Sequence, residues 1–296
     1  MSYFNYLLRN LKWLVVFSLF TSLLGSCQSN PPQADNNLAP ESSSVDTENK
    51  GIGITAVALP TEHSKIALVT GNDNYEYSAL TNPVNDARQV AEALGKIGFH
   101  VQLKINLTHQ QMDEALDKFY ETLRDKPNSV GLFYFAGHGA QLNNENYLIP
   151  IDNGKISKPR DLEYNAVGLN RIQGDMDNAK TYLNVLVLDA CRNDPYRSTE
   201  RGLTRGLSQV NNTDSGRDKS VGSLIAFSTS SGQVASDDIG YARHFSEMLV
   251  KANKIGMRID DMFRELRNTI KDKSNGSQTP WFNESLAKPV CFDLCK

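Results

Sequence analysis

The chain has few cysteines, few histidines and almost no excess of charge, and each scarcity removes a class of protein. Four cysteines in 296 residues are too few for a scaffold built on disulfides. Only Cys291 and Cys295 lie close together, and no histidine near them suggests a zinc site. A formal net charge of −3 leaves neither the basic footprint of a nucleic-acid-binding protein nor a polybasic membrane patch. The longest apolar run, residues 13–24, is too short to span a bilayer comfortably. No internal repeat is evident, and no EF-hand loop points to calcium. No cofactor, metal or nucleic-acid partner is therefore expected, and calcium dependence is not indicated. What remains is an apolar fraction of 40%, enough for the core of one sizeable domain with appendages.

The N-terminus reads apart from the rest. Arg9 and Lys12 precede the apolar run, and Leu24-Gly25-Ser26-Cys27 closes it. That is the layout of a secretory signal, and its ending resembles the lipobox of bacterial lipoproteins, which implies lipidation of Cys27. Gln28 is not the Asp that retains such proteins in the inner membrane. The resemblance thus implies a cell-envelope protein tethered by lipid, at the outer membrane and periplasm if the cell is Gram-negative. Residues 28–61 are rich in Asn, Ser, Pro, Gln and acids and read as a flexible linker. In an oxidising compartment Cys291 and Cys295 are either a disulfide or two free thiols, and their spacing does not choose.

From residue 62 the pattern alternates. Strands are predicted at 65–70, 99–103, 130–136, 183–190 and 223–228, with a short extended piece at 147–151. Val84, Ala87, Ala91, Leu94 and Ile97 mark one amphipathic helix. Met112, Ala115, Leu116, Phe119 and Leu123 mark a second, with Thr108 as its N-cap. Two more helices are predicted near 243–252 and 259–271. Strands alternating with helices imply an α/β domain, its mostly parallel sheet covered on both faces. Residues 195–220 break the pattern and read as a long connecting loop.

Two strings carry chemistry: Phe-Ala-Gly-His-Gly at 135–139 and Leu-Asp-Ala-Cys-Arg-Asn at 188–193. Each follows a continuous apolar run of the kind that fills a buried parallel strand. The carboxyl ends of parallel strands share one edge, where open α/β folds place their sites. His138 and Cys191 are therefore expected to meet in exposed strand-end turns, with the flanking glycines letting backbone approach a ligand. A thiol beside an imidazole is the minimum equipment of a cysteine hydrolase. His63, His100, His109 and His244 have no such setting and read as structural or surface residues.

Together with Ala67-Leu68-Val69-Thr70-Gly71-Asn72, Asn82-Pro83-Val84-Asn85-Asp86-Ala87, Asn146-Tyr147-Leu148-Ile149-Pro150 and Gln278-Thr279-Pro280-Trp281, these strings resemble the caspase-like superfamily of cysteine peptidases. Within it the bacterial metacaspase-like or orthocaspase branch is the nearest match. The resemblance implies a three-layer α/β fold around a six-stranded, mainly parallel sheet. The domain would cover 62–290, with a large-subunit-like part at 62–194, a connecting loop at 195–220 and a small-subunit-like part at 221–290, before a tail at 291–296. It implies Cys191 as nucleophile, His138 as its acid–base partner, and the N–H groups of Gly139 and Cys191 as an oxyanion hole.

Specificity is open to an argument from charge. Aspartate-cleaving caspases carry Gln two residues before the nucleophile and an Arg after the first strand. Here Asp189 takes the first position, and residues 71–86 contain no Arg or Lys. The resemblance maps a second acid onto Asp86. Two carboxylates suit a guanidinium fork, so the expected substrates are proteins or peptides cut after Arg, with Lys second. The connecting loop offers Arg197, Arg201, Arg205, Arg217 and Lys219 to such a site, which predicts self-cleavage there. Arg205 lies in a stretch resembling a recurring family segment, so Arg217 and Lys219 are the better candidates. The competing expectation is a catalytically weak caspase-like scaffold that binds partners at the envelope.

Overall fold

A computed structural model of the chain describes residues 57–58, 63–143, 145–191, 203–204, 220–230, 240–293 and 295, with the backbone alone at 57–58, 191 and 203–204. The chain divides into Met1–Gly51 and Ile52–Lys296, and all described residues belong to the second unit. Cys27, Arg197, Arg201, Arg205, Arg217 and Lys219 lie outside the described residues.

The elements follow in the order β1 (Val57–Ala58), β2 (Lys65–Gly71), α1 (Pro83–Lys96), β3 (His100–Ile105), α2 (His109–Arg124), β4 (Val130–Leu142) and β5 (Glu145–Leu148). Next come α3 (Leu162–Asn165), β6 (Val167–Gly168), α4 (Leu169–Asn178), β7 (Leu183–Cys191) and β8 (Leu203–Thr204). The chain ends with β9 (Gly222–Phe227), α5 (Tyr241–Ile255), α6 (Ile259–Lys273), β10 (Trp281–Glu284) and β11 (Val290–Cys291). Six strands cross the main sheet in the order β10-β9-β7-β4-β2-β3. All neighbours are parallel except β10, which runs antiparallel to β9. This is the predicted mostly parallel sheet.

The strands sort their side chains strictly by parity, as a pleated sheet covered on both faces requires. Val130, Leu132, Tyr134 and Ala136 of β4 join Val185 and Val187 of β7 in one core, with the buried stripes of α1, α5 and α6. Phe133 and Phe135 join Leu186, Leu188 and Ala190 in the other, with α2 and α4. The helices start where their sequences dictate. Pro83 opens α1. Thr108 caps α2 in a reciprocal box with Gln111, as its sequence predicts. Gly71 lets the first turn of α1 lie against β2. A Cβ there would sit 2.4 Å from the Pro83 carbonyl oxygen and 2.7 Å from Ala87 Cβ. That close approach fixes where Asp86, one helical turn further on, stands beside the sheet.

One expectation needs correction, and two segments gain definition. The strand predicted to end at 136 continues through the Gly-His-Gly string to Leu142, because β5 and then β8 pair with its distal half in antiparallel fashion. The stretch between β5 and β7 contains two 3-10 turns, Asn153–Lys155 and Pro159–Asp161, followed by α3, β6 and α4. The tail expected at 291–296 takes part in packing. β11 pairs with β1, and Phe292 is buried edge-on against Phe99. Cys291 and Cys295 form a disulfide, which settles the alternative left open by their spacing.

Candidate active site

Parallel pairing of β4 with β7 runs unbroken from Val130 opposite Leu183 to His138 opposite Cys191. Adjacent strands lie about 4.8 Å apart, so this register alone brings the two residues together at the sheet's carboxyl edge. Asp189 sits opposite Ala136 in the same ladder, and Tyr134, Ala136 and His138 share its face by parity.

His138 is fully buried, not exposed in a turn as its sequence context suggests. The Tyr75 hydroxyl accepts a hydrogen bond from the His138 backbone N–H at 2.8 Å and donates to the Ile149 carbonyl at 3.2 Å. The two rings lie 4.4 Å apart between centroids. This packing explains Gly137 differently from the sequence reading. A Cβ at 137 would meet the Tyr75 hydroxyl at 2.4 Å, so the glycine makes room for a side chain of the protein itself.

The imidazole is oriented from the other end by Ser78, whose carbonyl oxygen lies 2.6 Å from Nε2. A carbonyl can only accept, so Nε2 carries the proton and Nδ1 the lone pair. Nδ1 is buried and has no hydrogen-bond partner among the described residues. Ser78 holds a left-handed backbone with φ of 61°, a conformation that costs a non-glycine residue roughly 1 kcal/mol and recurs at functional sites. The preceding turn is clamped by buried Asn153, which accepts from the Tyr77 N–H and donates to the Tyr77 carbonyl, each at 3.0 Å. Burial pushes the His138 pKa down from its ordinary value, and the Ser78 carbonyl opposes that in part. The site therefore favours a neutral imidazole with a free Nδ1, which is the form of a base.

Gly139 lies opposite Leu148 in β5, and the Ile149 N–H donates to the His138 carbonyl. This pattern makes Gly139 and Leu148 a non-hydrogen-bonded pair. Its N–H is thus turned away from β5, toward the side on which Cys191 ends β7.

Both predicted acids lie within electrostatic reach of one buried phenol. The Tyr134 hydroxyl donates to Asp189 Oδ2 at 3.1 Å, and both Asp189 and Asp86 act electrostatically on that same phenol. Asp86, in the first turn of α1, and Asp189 are each partly exposed. Sequence reading missed Tyr75, Ser78 and Tyr134. Only Tyr134 left a signal, a hydroxyl placed two and four residues before Ala136 and His138 on one strand face. The other histidines lie elsewhere: His63 stacks on Tyr182, and His244 is buried in α5. Among the described residues no cluster of three or more His, Cys, Asp or Glu is placed to hold a metal ion.

Comparison with known proteins bears on the family and the fold. Residues 64–291 match the caspase domain. A stretch of 134 residues, 45% of this chain, is 34% identical to the Homo sapiens protein "Mucosa-associated lymphoid tissue lymphoma translocation protein 1". Its Mus musculus homologue matches over the same length at the same identity. The aligned stretch spans only 16% and 15% of those two proteins. The Drosophila initiator caspase Dronc superposes with a TM-score of 0.57 at 13% identity, covering 90% of this chain and 99% of that one, a likeness of fold.

The state of His138 is directly measurable. In a Cys191→Ala protein, which removes any thiolate partner, the His138 ring followed by NMR should titrate below the ordinary value of 6.5. The folded state then binds fewer protons there than the unfolded chain. Its stability should be intact above pH 6.5 and decline as the pH falls below it. A midpoint at or above 6.5 would contradict the buried, neutral imidazole.

Proposed function

The chain belongs to the caspase family, and from that premise we propose that it is a cysteine endopeptidase cleaving after basic residues, Arg before Lys. The observation that carries this reading is the register of His138 opposite Cys191, with the imidazole's Nε2–H held by Ser78 and its Nδ1 without a hydrogen-bond partner among the described residues. His138 Nδ1 takes the Cys191 proton, and the thiolate attacks the peptide carbonyl to form a carbon–sulfur bond. The carbonyl oxygen becomes an oxyanion, stabilised by the N–H groups of Gly139 and Cys191. As the intermediate collapses, the imidazolium protonates the departing amine and an acyl-enzyme remains. A water molecule, deprotonated by the same imidazole, then releases the carboxylic acid and the thiol.

Charge sets the preference. Asp189 accepts from the Tyr134 hydroxyl and Asp86 acts electrostatically on the same phenol, so a substrate cation entering beside them meets two carboxylates, whereas a substrate carboxylate is repelled. Arginine presents two parallel donors to such an acid and lysine a single point charge. The envelope tether at Cys27 and self-cleavage within 195–220 belong to the same proposal. They rest on the lipobox-like string and on the basic residues of that loop.

Kinetics on fluorogenic peptides test the assignment. Cys191→Ala should abolish turnover and His138→Ala should nearly do so, since an unassisted thiol is mostly protonated at neutral pH. Asp189→Asn should lower kcat/KM on arginyl peptides about a hundredfold, the scale of a lost desolvated charge pair. A wild-type enzyme faster on aspartyl than on arginyl peptides would overturn the specificity while leaving the dyad standing.

Intact-mass analysis tests the processing. Wild-type protein from its membrane fraction should carry a lipid on Cys27 and a break after Arg217 or Lys219. Cys191→Ala should retain the lipid and lose the break. Cleavage equal in both proteins, or absent from both, would exclude self-processing, and a mature N-terminus without lipid mass would exclude the tether.

A further inference from the structure

We propose that Tyr134 is a positioning residue for substrate selection: its buried hydroxyl holds the Asp189 carboxylate in the one orientation that receives a guanidinium. The proposal rests on the reading of Asp86 and Asp189 as the acids that select a basic residue.

Tyr134 lies in the middle of the apolar run of β4 and is fully buried. A hydroxyl there is costly unless it finds a partner, and the partner is Asp189 Oδ2 at 3.1 Å. The ring is held rigidly, stacked 7° from parallel on Phe245 of α5. The donor therefore cannot follow Asp189 about, and the carboxylate must come to the donor. With Oδ2 fixed, the plane of the carboxylate is fixed, which is what two-point recognition of a guanidinium demands.

The phenol also affects charge. A hydrogen bond donated to Asp189 favours its charged form. Burial and the nearby Asp189 and Asp86 push the Tyr134 pKa well up, so the phenol stays a neutral donor throughout the working range. Tyr241, at the start of α5, repeats the theme. It is buried, stacks on the same Phe245, and is pushed up by burial and by Asp189. The floor beneath the acids is thus made of neutral phenols packed around one aromatic ring. A lysine or arginine in that floor would neutralise the acid that the substrate needs.

The test is Tyr134→Phe, which keeps the ring and its stacking, assayed on paired peptides carrying arginine or its uncharged isostere citrulline. Loss of a hydrogen bond to a charged group should lower kcat/KM on the arginyl peptide about tenfold, mainly through KM. The citrullinyl peptide should change by less than about twofold. In an Asp189→Asn background the same substitution should cost nothing further, because the bond it removes no longer orients a carboxylate. Alkylation of Cys191 by a neutral reagent should keep its wild-type rate, showing that the variant is folded. Equal losses on both peptides, no loss on either, or a loss undiminished in the Asp189→Asn background would each overturn the role of Tyr134. A wild-type enzyme that does not prefer arginine to citrulline would instead overturn the pocket reading beneath it.

Discussion

Everything at the carboxyl edge of the sheet depends on the parallel pairing of β4 with β7. The ladder sets His138 opposite Cys191, and two residues earlier it sets Ala136 opposite Asp189. Side chains alternate with a period of two, so a slip of one residue would move every core group of β7 to the wrong face. Val185 and Val187 would then leave the core of α1, α5 and α6, while Leu186 and Leu188 would leave that of α2 and α4. Each buried aliphatic side chain opposes that slip by roughly 1.5–3 kcal/mol. The position of His138 opposite Cys191 is thus maintained by ordinary packing elsewhere in the sheet.

Around that ladder the chain spends several residues on one imidazole. Tyr75 binds the backbone N–H of His138 and packs on its ring, Gly137 clears space for Tyr75, and the Ser78 carbonyl accepts from Nε2–H at a left-handed turn. Asn153 in turn fixes the turn that carries Ser78. The result is an imidazole with one nitrogen committed and the other without a hydrogen-bond partner among the described residues. An exposed histidine would sample many rotamers and both tautomers, whereas this one has little choice of either.

Much of this was legible in the sequence, and the reasons differ from element to element. Continuous apolar runs at 130–136 and 183–190 identify buried parallel strands, because both faces of such strands are covered. Thr108 identifies the start of α2, because capping is local chemistry. The limits of β4 were not legible. Its distal half, with two glycines and a histidine, reads as a turn, and only pairing with β5 and β8 makes it a strand. Tyr75 and Ser78 escaped notice because their roles arise from contacts across some sixty residues of sequence. Tyr134 escaped because an aromatic in an apolar strand reads as core, and its hydroxyl matters only once Asp189 is seen within reach. The polarity proposed for the pocket rests on residue identity, since Asp189 and the lack of basic residues at 71–86 need no coordinates.

The central claim is that the thiol of Cys191 reacts beside two acids that admit a cation. Covalent labelling with an arginyl peptide carrying a thiol-reactive fluoromethyl ketone tests both halves in one measurement. The account predicts a single adduct, located on Cys191 by peptide mapping, forming far faster than with the matched aspartyl reagent and lost in His138→Ala. An adduct on any other residue, or labelling by the aspartyl reagent at an equal or greater rate, would contradict it.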